Sequence, residues 1–173
     1  MDETIGAFPA LSGILYTIQP YIQNYSLLKH FLDTNPQYIR PYMFDILKQV
    51  NAAKSLHQLT VMLYTNNSNS AWIAMILHYI DESLQLTKPL FDHVLDASQH
   101  KNYNKNVEDL LYRSSLQHKS KDARIFFVDD QYHPGMITPQ VVYFHISPYK
   151  DPNPTDIRAS QLLYKELREF INS

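Results

Sequence analysis

The chain contains no cysteine. Disulfides, thiolate catalysis and cysteine-ligated zinc are therefore excluded, and the absence fits a reducing compartment. Glycine is scarce, at 3 residues, and no low-complexity tract or domain boundary interrupts the sequence. No sign of charge predominates: the formal net charge is -2. No basic stripe marks a general nucleic-acid binder. No apolar run approaches the ~20 residues of a membrane span, and no secretory signal is visible at the start. The expectation is an intracellular protein, cytoplasmic or nuclear, with neither nucleic acid nor membrane as partner.

What is present suits one globular domain over residues 1–173, with hydrophobic residues at 45% and charged residues at 18%. The 13 tyrosines and 8 histidines are spread along the chain. The tyrosines read as half-buried packing residues with a wet hydroxyl. The histidines show no metal-ligand spacing.

Two apolar runs stop abruptly at polar clusters. Leu59–Tyr64 runs into Thr65-Asn66-Asn67, and Arg124–Val128 runs into Asp129-Asp130. Runs rich in β-branched and aromatic residues read as buried parallel strands, and chemistry gathers past their carboxyl ends. Further strands are expected near Pro89–Asp96 and over Val141–Ile146. Helices are expected over Phe8–Leu32 with a break at Pro20, from Pro41 as first helical residue, from Ala71 with Ser68 or Ser70 as cap, over Val107–Leu116, and over Thr155–Ile171 with Thr155 as cap. Asn35-Pro36 reads as a turn, and Gln131–Gly135 as a loop. Strands alternating with helices argue for an α/β fold with a parallel sheet.

The chain opens Met1-Asp2-Glu3-Thr4-Ile5-Gly6. Asp2-Glu3-Thr4 matches the back half of an Asp-x-Asp-x-Thr phosphatase signature. With Thr65 after one strand, Asp129-Asp130 after another, and Arg40-Pro41 opening a helix, residues Asp2 to about Tyr149 resemble the haloacid dehalogenase superfamily. Within it, the likeness is to the branch of the RNA polymerase II C-terminal-domain phosphatases. The resemblance implies a Rossmann-like parallel sheet flanked by helices, with a small cap or insert, or none, over residues 8–40.

The function it implies is Mg²⁺-dependent hydrolysis of a phosphomonoester through an aspartyl-phosphate. Asp2 would act as general acid and then base, its carbonyl helping to hold the metal. Thr65 would bond the phosphate. Asp2, Asp129 and Asp130 would form the metal set, with one member of the acid pair on Mg²⁺ (Asp130 is the choice) and the other water-mediated or paired with a lysine. That lysine is expected to be Lys105, with Lys101 as runner-up. Thr4, Asn66, Asn67 and His133 would lie around a phosphorylated substrate, for which a phosphoprotein is compatible; His133 is placed at the rim.

The nucleophile of the signature falls ahead of Met1, as does the central strand that leads into it. An upstream extension reading Asp-Met-Asp-Glu-Thr would restore both. The alternative is a catalytically inactive domain that binds phosphate or another protein. A sheet short of its central strand leaves unpaired edges, which predicts self-association.

Overall fold

The computed structural model describes residues 2–18, 24–57, 59–99, 104–114, 123–153 and 157–173. The architecture is mixed α/β. Among the described residues, seven α-helices accompany two parallel strand pairs. The elements run α1 (Asp2–Ile5), α2 (Phe8–Ile18), α3 (Tyr25–Thr34), α4 (Met43–His57), β1 (Met62–Tyr64), α5 (Ser70–Ser83), β2 (His93–Leu95), α6 (Val107–Arg113), β3 (Ile125–Asp129), β4 (Val141–His145) and α7 (Arg158–Asn172).

β1 pairs with β2, Met62 opposite His93 through Tyr64 opposite Leu95. β3 pairs with β4, Ile125 opposite Val141 through Asp129 opposite His145. Each parallel partner is reached through a long connection, as parallel geometry requires. Strand alternation divides the apolar side chains between two clusters. Leu63 lies in the larger one with Phe8, Leu11, Leu28, Leu32, Ile76 and Ile80, and Phe126, Val128 and Phe144 pack against it. Tyr64, Leu95 and Phe127 join Val107, Leu110, Leu111 and Met136 in the smaller one. Both strand pairs therefore present one face to each cluster. The stretch expected as a small cap or insert supplies α2 and α3, whose Phe8, Leu11, Leu28 and Leu32 are fully buried in the larger cluster.

Local chemistry sets several boundaries differently from the sequence expectations. Helix α4 begins at Met43, because Tyr42 adopts φ 62° in the left-handed region and Pro41 stands in the turn before it. Asn69, rather than Ser68 or Ser70, caps α5 by accepting the Trp72 amide at 3.0 Å. Asn24 caps α3 in the same way through the Leu27 amide, at 3.2 Å. Asn106 caps α6 through Asp109 at 2.7 Å, and the helix stops at Arg113. The breaking residue Pro20 and the expected cap Thr155 lie outside the described residues. Strand β3 extends one residue further than its apolar run, taking in Asp129.

Gly6 forms an isolated bridge with Ile39, and a Cβ on it would lie 2.5 Å from the Tyr38 carbonyl oxygen. Only glycine permits that approach of the first turn to residues 36–40.

Candidate functional site

The last residue of β3 decides the geometry. Asp129 shares a strand face with Phe127, so its side chain turns toward the loop that precedes α6. There Lys105 Nζ donates to Asp129 Oδ2 at 2.5 Å, with both side chains 4% exposed. The same ammonium lies 5.6 Å from the Tyr64 ring centroid and 5.9 Å from that of Phe127. It therefore links the end of β1 to the end of β3. The other oxygen, Asp129 Oδ1, accepts the Gln131 amide at 2.8 Å.

Burial pushes the Asp129 carboxyl upward, but the charge and hydrogen bond of Lys105 and the Gln131 amide outweigh it. The carboxyl is held below the ordinary aspartate value. Asp129 is thus the lysine-paired member of the acid pair.

Asp130 lies just past the strand and is half-buried. Thr4 Oγ1 donates to Asp130 Oδ1 at 2.6 Å across 126 residues of sequence. The Asp130 carbonyl oxygen meets His145 Nε2 at 3.1 Å. The amino-terminal helix α1 and the acid pair are therefore in direct contact. The backbone of Asp2 belongs to α1, while its side chain lies outside the described residues, as does Lys101.

Thr65 follows β1 directly and is 1% exposed. Its amide donates to the Leu95 carbonyl at 2.8 Å, and its Oγ1 accepts the Asn67 amide at 3.1 Å. The Asn67 amide, expected to face a phosphate, thus donates inside the turn. Asn67 Oδ1 accepts the Asn69 amide at 2.8 Å and tightens the same loop. Asn66, between them, is half-buried. A polar turn with this much internal bonding is a rigid lip at the end of β1.

His133, expected at an open rim, is instead 2% exposed. Its Nδ1 accepts the Lys105 amide at 3.3 Å, which leaves the ring proton on Nε2, 3.4 Å from Asp129 Oδ1. Burial lowers its pKa and outweighs the opposing pull of Asp129, so the ring is held neutral. His133 underlies the Lys105–Asp129 pair as a brace. Gly135 completes this support: a Cβ there would lie 2.7 Å from Asn106 Cβ and 2.9 Å from the Lys105 carbonyl oxygen.

Two roles escaped sequence reasoning. Tyr143, on β4, donates its hydroxyl to the Gln131 carbonyl and accepts the His133 amide at 3.2 Å. Tyr132, 64% exposed, stacks on the Tyr143 ring. The other is Arg40, 1% exposed in the run Tyr38-Ile39-Arg40-Pro41-Tyr42-Met43. A lone charge among apolar neighbours was the available signal that it is buried.

The site can thus offer a carboxylate steadied by a hydroxyl, beside a buried ammonium–carboxylate pair, at the carboxyl ends of parallel strands. Among the described residues, no group of three or more His, Asp or Glu side chains is placed to hold a metal ion by itself. Asp130 and the Thr4 hydroxyl present oxygen atoms, the donor type that hard cations prefer. Comparisons with protein-family models, with curated proteins and with solved structures found no match. No helix among the described residues is long and apolar enough to cross a membrane.

Proposed function

We propose that this chain carries a Mg²⁺-assisted phosphomonoester site of the haloacid dehalogenase kind. In this reading the two parallel pairs are parts of one Rossmann-like arrangement. The observation that carries it is the meeting of Thr4 with Asp130 at 2.6 Å beside the Lys105–Asp129 pair. Residues up to 126 positions apart supply the donor types that phosphoryl chemistry uses, and they meet at the end of β3.

Asp130 would hold the cation with help from the Asp2 backbone, and Mg²⁺ bound there would supply charge neutralisation to the phosphoryl group. Lys105 supplies positive charge at a fixed place, its ammonium held by Asp129 and its main-chain amide by His133. In this reading Thr65, directly after β1, bonds the phosphate. A phosphoprotein is a compatible substrate, and an intracellular location suits it.

Hydrolysis in this reading runs through an aspartyl-phosphate. A second reading keeps the binding and drops the turnover: a domain that binds phosphate groups without hydrolysing them. One titration tests the shared part. MgCl₂ and inorganic phosphate together should raise Tm, by about 2.7 kcal/mol of added stability at 100 times Kd. Asp130→Asn should abolish the Mg²⁺-dependent part. A wild-type chain indifferent to both ligands would sink the proposal. Hydrolysis of an aryl phosphate, or its absence in a chain that binds, separates the two readings.

A further inference from the structure

Helix α1 is one turn long, so its last carbonyl oxygens have no partner further along the helix. One side chain satisfies two of them. Arg40 Nε donates to the Thr4 carbonyl at 2.8 Å, and Nη2 donates to the Glu3 carbonyl at 2.8 Å. The same Nη2 donates to the Ser147 carbonyl, just past β4, at 2.6 Å. The Arg40 main-chain amide adds a bond to the Ile5 carbonyl at 2.9 Å. The guanidinium carbon lies 5.0 Å from the Tyr149 ring centroid, and the Tyr149 amide donates to the Glu3 carbonyl at 2.9 Å.

This is an unusual use of a charge that is 1% exposed. Taking a guanidinium out of water is costly unless its donors find acceptors, and here main-chain carbonyls take Nε and Nη2 while the Tyr149 ring lies against the group. The planar fork matters. Lysine carries a compact ammonium in place of the fork that reaches the Thr4, Glu3 and Ser147 carbonyls, and an apolar residue would remove all three side-chain bonds, leaving Glu3 only its bond from the Tyr149 amide. The three acceptors belong to the first turn of the chain and to the exit of β4, the two pieces of backbone that flank Asp130.

We infer that Arg40 is the positioning residue of the site: it locks α1 to the exit of β4 and so sets the Thr4 hydroxyl on Asp130. Arg40 acts through Thr4 and touches neither ligand nor cation. The consequence for Mg²⁺ rests on the function proposed above; the consequence for Asp130 does not.

The test follows the side-chain carboxyl ¹³C signal of Asp130 in the labelled full chain, with circular dichroism as a check on folding. Thr4→Val should displace that signal by removing its hydrogen bond. Arg40→Lys should displace it in the same direction, and the Thr4→Val/Arg40→Lys double variant should move it no further than Thr4→Val alone. A folded Arg40→Lys chain with Asp130 at its wild-type position overturns the inference. If Arg40→Lys fails to fold, Tyr149→Leu serves instead: removing the ring under the guanidinium should produce a smaller displacement in the same direction, and none would overturn it equally. Mg²⁺ added to these samples gives a second readout. Arg40→Lys should weaken apparent Mg²⁺ affinity about 10-fold, as loss of an outer support typically does. A wild-type chain whose Asp130 signal ignores Mg²⁺ counts against the phosphate site, while the Thr4 and Arg40 comparison still decides the clamp.

Discussion

Replacing Lys105 by methionine should strand a carboxylate in the protein interior, and the cost can be worked from the geometry. Asp129 and Lys105 are each 4% exposed at the side chain, so solvent screening is slight. Removing one partner of a buried pair costs about 3–5 kcal/mol, because the remaining charge keeps its desolvation penalty. For a chain of this size that is a fall in Tm on the order of 10 °C.

The pH dependence gives the sharper signature. In the wild type the Asp129 carboxyl lies below its ordinary value. Its contribution is therefore present above the unfolded aspartate pKa, about 4, and is lost as pH falls through the folded value. In Lys105→Met burial acts with no ammonium to oppose it, so the folded pKa rises above the unfolded one. The variant is then least penalised in acid and loses stability as pH rises. The gap between the two proteins should be widest near pH 7 and should narrow toward pH 4. Urea unfolding at both pH values measures it. A Lys105→Met/Asp129→Leu chain should recover most of the loss, since an apolar pair of similar volume is often neutral or better. A loss below about 1 kcal/mol at pH 7, or a gap that does not depend on pH, would refute the reasoning.

Gly135→Ala must push a methyl to 2.7 Å from Asn106 Cβ; it should cost about 1–3 kcal/mol in urea unfolding and loosen Lys105. Gly13, in α2, has nothing within 4 Å of the place a Cβ would take, so Gly13→Ala should instead stabilise the chain by about 0.5–1 kcal/mol, read as a higher urea midpoint. Asn106→Ala removes the cap of α6 and should lower stability by about 1 kcal/mol, read as a drop in urea midpoint without a change in slope.

The readable parts of this fold were those in which one physical cause dominates. Apolar runs ending at Thr65 and Asp129 placed β1 and β3, because a strand buried on both faces has no polar residue to spare before it ends. The Val107 and Ser70 helices were legible from apolar spacing, although their caps were not. Serines flank α5, but the side chain of Asn69 reaches the Trp72 amide, and serine and asparagine cannot be ranked from a string. The start of α4 was misplaced because Pro41 favours a first helical position while the left-handed backbone of Tyr42 forbids one. The pairing of Lys105 with one of the two acids was legible from its place before a helix leading to them. His133 was read as a rim residue since it follows a loop; its burial depends on Tyr143 and Gly135, which no local pattern couples to it. Arg40 was visible as a residue but not as a clamp, because its acceptors are main-chain carbonyls and carry no sequence signal.

The bond from Thr4 to Asp130 joins residues 126 positions apart, and the tie from Arg40 to Ser147 spans 107. Contacts of such long range form late and slow folding, since a large loop must close before they return anything. During synthesis the opening turn must wait for nearly the whole polypeptide to emerge before its counterpart exists. A ribosome stalled ahead of β4 would therefore hold well-made helices and no Thr4–Asp130 contact, and nicking the connection before β3 should uncouple those two segments while much of the helical content survives.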